Sequence, residues 1–317
     1  MKKLLLMAIV IILLAAAWLK QAVYVAGNLD AETTILINRG AGSGQVAYQL
    51  ANAGIIRYPW LFKIAARLKG LDKNLKAGEY LFAAHISMAD VLSQMSRGEV
   101  LYRKLTLPEG LTTAQMLNII RDNEFLSGEI TENPAEGSLL PETYSFFRGD
   151  SRDSIIVQAK EAMQSALSEV WAKRDETVPV KNVQELLILA SIVEKETGVA
   201  DERPLVASVF VNRLRKGMRL QTDPTVIYAL TGGKTELERV LTKRDLLIDN
   251  PYNTYKYYGL PPAPICNPGR AALEAAAHPE ISNYLYFVAN GTGGHNFAAS
   301  LNEHNRNVSS WKKQRQK

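Results

Sequence analysis

The hydrophobic pattern opens with an uninterrupted apolar run of sixteen residues, 4–19, set between Lys3 and Lys20. As a helix rising ~1.5 Å per residue it reaches about 24 Å, short of a ~30 Å hydrocarbon core. Flanking lysines can snorkel, and residues 22–26 add apolar length. The alanines at 15–17 resemble small-residue cleavage signals, but the run is longer than a usual signal-peptide core and no clean cleavage site follows. We read residues 1–27 as an uncleaved single-pass anchor. By the positive-inside rule Lys2 and Lys3 stay in the cytoplasm and the rest lies on the far side of the membrane.

Residues 28–105 alternate short strand and helix patterns. Residues 33–38 read as a strand, and Ser43 as the cap of a helix over 45–53 whose apolar positions include Val46, Leu50 and Ala53. Pro59 opens a second helix whose apolar positions include Leu61, Ile64, Ala65 and Leu68. Residues 78–82 return as a strand, and Ser87 caps a helix over 88–95. From 106 to 317 helical periodicity dominates. Thr112 or Thr113 caps a helix through 120, and 154–170 is amphipathic. Residues 182–198 are apolar almost all round, with Asn182 and Glu185 as a capping box and Gly198 as a left-handed stop. Helices follow over 204–214, from Pro224 with Asp223 as N-cap, from Thr242 to 247, and over 270–277. Residues 284–288 and 295–297 form a β-hairpin around the glycine turn at 291–294. The fold class is α+β: a transmembrane helix, a small α/β module, and a mainly helical domain with a hairpin.

Composition removes several functions. The net charge is +5, but Lys and Arg are scattered, apart from the tail at 312–317, which reads as a solvated end. That pattern does not fit a nucleic-acid binder. Gly40-Ala41-Gly42-Ser43-Gly44 lacks the Lys-Ser or Lys-Thr of a phosphate loop. The four histidines show no metal spacing, and the single Cys266 forms no intrachain disulfide. No metal and no cofactor is expected.

The candidate chemistry lies at the end of the buried helix pattern, at Glu194 and Glu196. Burial raises a carboxyl pKa, and a carboxylic acid kept protonated is a general acid for glycosidic bonds. The two lie about 200° apart on a helical wheel, so one faces a cleft and the other a structural partner. The wheel leans towards Glu196 without deciding. Glu142 is a weaker carboxylate candidate, and His295 and His304 read as structural. The irregular stretch 250–268 holds five prolines, and its Asn253 and Tyr255 offer an amide and a phenol for sugar hydroxyls.

Three segments carry a resemblance. Ala190-Ser191-Ile192-Val193-Glu194-Lys195-Glu196-Thr197, Val209-Phe210-Val211-Asn212-Arg213-Leu214 and Arg219-Leu220-Gln221-Thr222-Asp223-Pro224-Thr225-Val226-Ile227-Tyr228 are similar to the endolytic murein transglycosylases, the YceG-like family. Pro251-Tyr252-Asn253-Thr254-Tyr255 and Gly259-Leu260-Pro261-Pro262 extend it. The resemblance implies that Glu196 is the catalytic glutamate and that 28–105 is a LysM-like module. It also implies cleavage within nascent peptidoglycan strands, at the MurNAc–GlcNAc bond, to give 1,6-anhydromuramoyl ends near the peptidoglycan synthases. Gln221, Thr222 and Asp223 are expected to line the groove, with Asn253 and Tyr255 opposite. The alternative is a membrane-tethered glycan-binding scaffold without turnover.

Overall fold

The computed structural model describes residues 2–38, 40–71 and 75–315. The side chains of Lys2 and of residues 314–317, including the end of the basic tail, lie outside that description. The chain divides into two compact units, Met1–Arg103 with Ser145–Gly149, and Lys104–Tyr144 with Asp150–Lys317.

The first unit begins with α1 (Lys2–Tyr24). Its stretch Lys3–Tyr24 is long and apolar enough to cross a membrane, and the side chains of residues 4–14 are exposed. Strands β1 (Thr33–Ile37) and β2 (Gly78–Phe82) pair antiparallel, Thr33 opposite Phe82 and Ile37 opposite Gly78. Between them run α2 (Ser43–Asn52) and α3 (Pro59–Leu68), and α4 (Met88–Arg97) follows. Val46, Leu50, Phe62, Phe82, Val91 and Met95 form the core. Ser87 caps α4 by accepting Asp90 N–H at 3.1 Å. Ser43 is not a cap; Gly42 precedes α2 and Ser43 is its first residue. The inward face of α3 is Leu61, Phe62 and Ala66, whereas Ile64 and Leu68 are exposed. Glu79 is buried between Arg103 at 2.7 Å and Arg148 at 3.2 Å; the Arg103 hydrogen bond is the main pull holding its pKa low.

The second unit is built on a central helix. Strands β3 (Arg103–Thr106) and β4 (Thr143–Phe146) pair. The helices are α5 (Thr113–Asp122), α6 (Arg152–Lys173), α7 (Val183–Glu196), α8 (Arg203–Arg215), α9 (Asp223–Thr231), α10 (Arg270–Ala277) and α11 (Leu301–Arg315). Thr112 and Gln115 make a complete capping box on α5. Helix α7 packs against α6, α8, α9 and α10, and every residue from Leu186 to Val193 is buried. An all-round apolar sequence is stable only in such a sheath. Strands β5 (Tyr286–Ala289) and β6 (His295–Ala298) pair antiparallel and pack on α11.

The ends of these helices differ from the sequence reading in instructive ways. Asn182 Oδ1 accepts Glu185 N–H at 2.9 Å, but Glu185 Oε2 reaches back to Lys181 N–H at 2.8 Å, not to Asn182. The N-cap is present and the reciprocal bond has slipped one residue. Replacing Asn182 by Ala should lower stability by about 1 kcal/mol, read from the midpoint of urea unfolding; an unchanged midpoint would show that the cap contributes nothing. Gly198 is not a left-handed stop. The chain leaves α7 through an extended Thr197 (φ −142°), whose buried side chain accepts Val199 N–H at 3.0 Å. Asp223 is the first residue of α9, with Thr222 at the N-cap position. The helix expected from Thr242 is a single turn at Asp245–Leu247.

Candidate active site

Glu196 is the last residue of α7, so the buried helix delivers its carboxyl to the edge of the core. The Thr222 hydroxyl donates to Glu196 Oε1. Oε2 has no hydrogen-bond partner among the described residues, which leaves it as the oxygen able to carry a transferable proton. Burial pushes the Glu196 pKa up, and the neighbouring Asp223 charge adds to the rise. The Thr222 hydrogen bond and the Arg213 charge pull the other way without cancelling it.

The segment facing Glu196 is bent into place by Thr254. Gln221 N–H donates to the Thr254 carbonyl at 3.2 Å, and Thr222 N–H to its hydroxyl at 3.1 Å. The Thr225 hydroxyl donates to the Thr222 carbonyl at 2.7 Å and lies 2.8 Å from the Thr254 hydroxyl. Gln221 adopts φ +51°, a left-handed conformation that costs a non-glycine residue about 1–2 kcal/mol. The bend turns Thr222 inward to the glutamate, while Gln221 and Asp223 line the cleft. Tyr255 donates from its phenol to Asp223 Oδ1 at 2.6 Å. Burial, followed by that bond and the Asp223 charge, raises the Tyr255 pKa and keeps the phenol protonated.

The cleft has a volume of about 420 Å³. Besides Glu196, Gln221, Asp223 and Tyr255, its walls are Phe210 and Arg213 from α8, Leu220, Tyr286 and Phe287 from β5, and Leu301 and His304 from α11. Arg213 is buried and donates to the Leu285, Arg219 and Leu220 carbonyls at 2.6, 3.3 and 2.7 Å. The His304 ring stacks on Tyr286 at 5.2 Å, and its Nδ1 is buried with no partner among the described residues. Burial and the Arg213 charge lower its pKa, so the imidazole is held neutral. His304 is therefore not the satisfied structural histidine expected. His295 is satisfied: Glu202 accepts its backbone N–H at 2.9 Å and sits 2.7 Å from its Nδ1. A larger hollow, about 480 Å³, lies among α6, α8 and α10 and contains none of the expected site residues.

The remaining candidates lie apart from the cleft. Asn253 is fully buried, donates to the Leu246 and Ile248 carbonyls at 3.0 and 2.9 Å, and accepts Tyr255 N–H at 3.0 Å. Its amide is committed to the loop backbone, which corrects the expectation that it faces the groove; it positions Tyr255 instead. Glu194 Oε2 accepts Gly269 N–H at 2.9 Å and so satisfies the amide just before α10. The two glutamates thus separate as the wheel requires, one bound to structure and one at the cleft. Glu142 is exposed and does not line the cleft.

Residues 35–310 match the model of the YceG-like family. The chain belongs to that family. Among YceG-like relatives, the endolytic murein transglycosylase of Bacillus subtilis strain 168 is 33% identical over 311 residues, covering 87% of this chain and 84% of the relative. An endolytic murein transglycosylase of Streptococcus pneumoniae strain D39 is 31% identical over 329 residues, covering 89% of this chain but 58% of that protein. The crystal structure of a YceG-like protein from Listeria monocytogenes aligns with a TM-score of 0.54 at 34% identity, over 87% of this chain and 99% of that one.

Two residues that build the cleft of this YceG-like chain, one as wall and one as support behind it, were missed in the sequence. Arg213 and Thr254 both stand inside quoted segments, yet a polar residue in an apolar helix or a proline-rich loop does not announce its partners. The available signal for Arg213 was its place among the apolar residues of α8, where a cation demands a buried set of acceptors.

Proposed function

We propose that this chain is a membrane-anchored endolytic murein transglycosylase in which Glu196 acts alone as acid and then base. Its protonated Oε2 donates to the oxygen linking N-acetylmuramic acid to N-acetylglucosamine, and the C1–O bond breaks. The muramic acid 6-hydroxyl then attacks C1 and returns its proton to Glu196, leaving a 1,6-anhydro end and an unchanged enzyme. The observation that carries this reading is a carboxyl at a cleft wall, raised in pKa by burial and anchored through one oxygen only. Asp223, held by Tyr255, supplies negative charge beside the developing oxocarbenium carbon. Gln221 and Tyr255 contact the glycan, while Thr222 fixes the Glu196 carboxyl and Asn253 holds Tyr255 in place. Helix α1 anchors the chain in the inner membrane with the second unit outside, near the peptidoglycan synthases, and the residues after α1 form the LysM-like module.

Asp223 also supports a second reading, a hydrolase in which it activates water in the cleft it shares with Glu196. Mass analysis of the ends released from purified peptidoglycan separates the two. Anhydro ends are expected. Reducing ends would mean a hydrolase, and no new ends a glycan-binding scaffold.

A further inference from the structure

The outer face of α3 is apolar where a water-facing helix should be polar. Trp60 is 52% exposed, Ile64 48% and Leu68 83%, and their four-residue spacing puts them on one stripe. Lys63 and Arg67 are exposed beside it. The stripe adjoins α1: the Trp18 ring stacks on Trp60 with centroids 6.2 Å apart and leans on Tyr58 at 5.3 Å. Ala22 and Val23 pack on the core of the same unit, so α1 is fixed to this surface and not hung from a linker. From Thr33 to Leu71 the sequence holds Arg39, Arg57, Lys63, Arg67 and Lys69, and no Asp or Glu.

These observations share one explanation. The apolar run 4–19 is about 6 Å shorter than a ~30 Å hydrocarbon core at ~1.5 Å per residue. Trp18 marks the end of that run, and tryptophan favours the level where acyl chains meet headgroups. Trp60 is at the same level because it stacks on Trp18. A helix with tryptophan and aliphatic residues on one stripe and bases beside it fits an anionic lipid surface better than water or a protein partner.

We propose that α3 is a second, monotopic membrane contact: its stripe enters the acyl boundary of the leaflet from which α1 emerges, and the surrounding bases meet anionic headgroups. This rests on the reading of α1 as an anchor. It makes the first unit a rigid two-point attachment to the bilayer.

The test uses the full chain with Cys266 replaced by Ala, reconstituted in phosphatidylglycerol or phosphatidylcholine vesicles. A fluorophore is placed through Ile11→Cys, Ile64→Cys, Leu68→Cys or Glu99→Cys, and nitroxide-labelled lipids serve as quenchers. Quenching at 64 and 68 is expected to exceed that at exposed Glu99 several-fold, and to weaken in phosphatidylcholine or in the Lys63→Glu/Arg67→Glu background. Strong quenching at 11 with 64 and 68 no different from 99 would overturn the proposal and leave the anchor intact. An unquenched label at 11 would overturn both. Disulfide cross-linking of Leu68→Cys between copies, without lipid quenching, would assign the stripe to self-association and reject the membrane contact.

Discussion

Glu196→Gln should cut the release of anhydro ends from purified peptidoglycan by about 10²–10⁴-fold, the range that general acid–base groups contribute. Gln keeps the size of the side chain and an oxygen for the Thr222 hydroxyl, but it has no proton to give. Glu194→Gln is the matched control. Its oxygen can still accept Gly269 N–H, it lies away from the cleft, and activity should stay near wild type. Normal turnover by Glu196→Gln, or equal losses in both variants, would sink the assignment.

The same substitution has a thermodynamic signature. Burial raises the Glu196 pKa in the folded state above its ordinary value of 4.5. The folded chain therefore holds this proton more tightly than the unfolded chain does. The associated stability is complete below about pH 4.5 and is lost as pH rises through the folded-state pKa. Glu136 and Glu194 are shifted the same way, chiefly by burial, and both remain in the variant. The difference in melting temperature between Glu196→Gln and wild type should therefore move in favour of the variant between pH 4 and pH 8. A difference independent of pH would mean that Glu196 is as well solvated folded as unfolded.

What could be read from the sequence was local. Asn182, the apolar run behind it and the separation of Glu194 from Glu196 are properties of one helix, and α7 formed where they pointed. The wheel could not say which glutamate met the cleft, because that depends on Gly269 and Thr222, both distant in the chain. The N-cap of α9 slipped from Asp223 to Thr222 for a similar reason. Both residues cap well, and no side-chain cap forms, because the Thr222 hydroxyl is spent on Glu196. Helix α11 was not visible at all. Its sequence is mostly polar, with Leu301, Val308 and Trp311 as its large apolar residues, and it forms against β5 and β6. It nonetheless contributes Leu301 and His304 to the cleft.

Arg213 is the residue whose loss should be felt most widely. It is 8% exposed, and its guanidinium joins three carbonyls from two segments, at Arg219 and Leu220 just past its own helix and at distant Leu285. Removing it with Arg213→Met orphans those carbonyls, each at about 1–3 kcal/mol, and relieves the desolvation that lowers the Arg213 pKa. The net loss should be about 2–4 kcal/mol by urea unfolding. Arg213→Lys keeps the charge but lacks the planar fork, so it should recover less than half of that stability. The two variants should part in the pH profile. Arg213 is one of the charges that pull the Glu196 pKa down. Without it the acid form persists further, and the alkaline limb of activity in Arg213→Met should move to higher pH. Arg213→Lys should hold the wild-type limb despite its lower stability. If both variants shift the limb equally, Arg213 acts on Glu196 through the shape of the cleft wall and not through its charge.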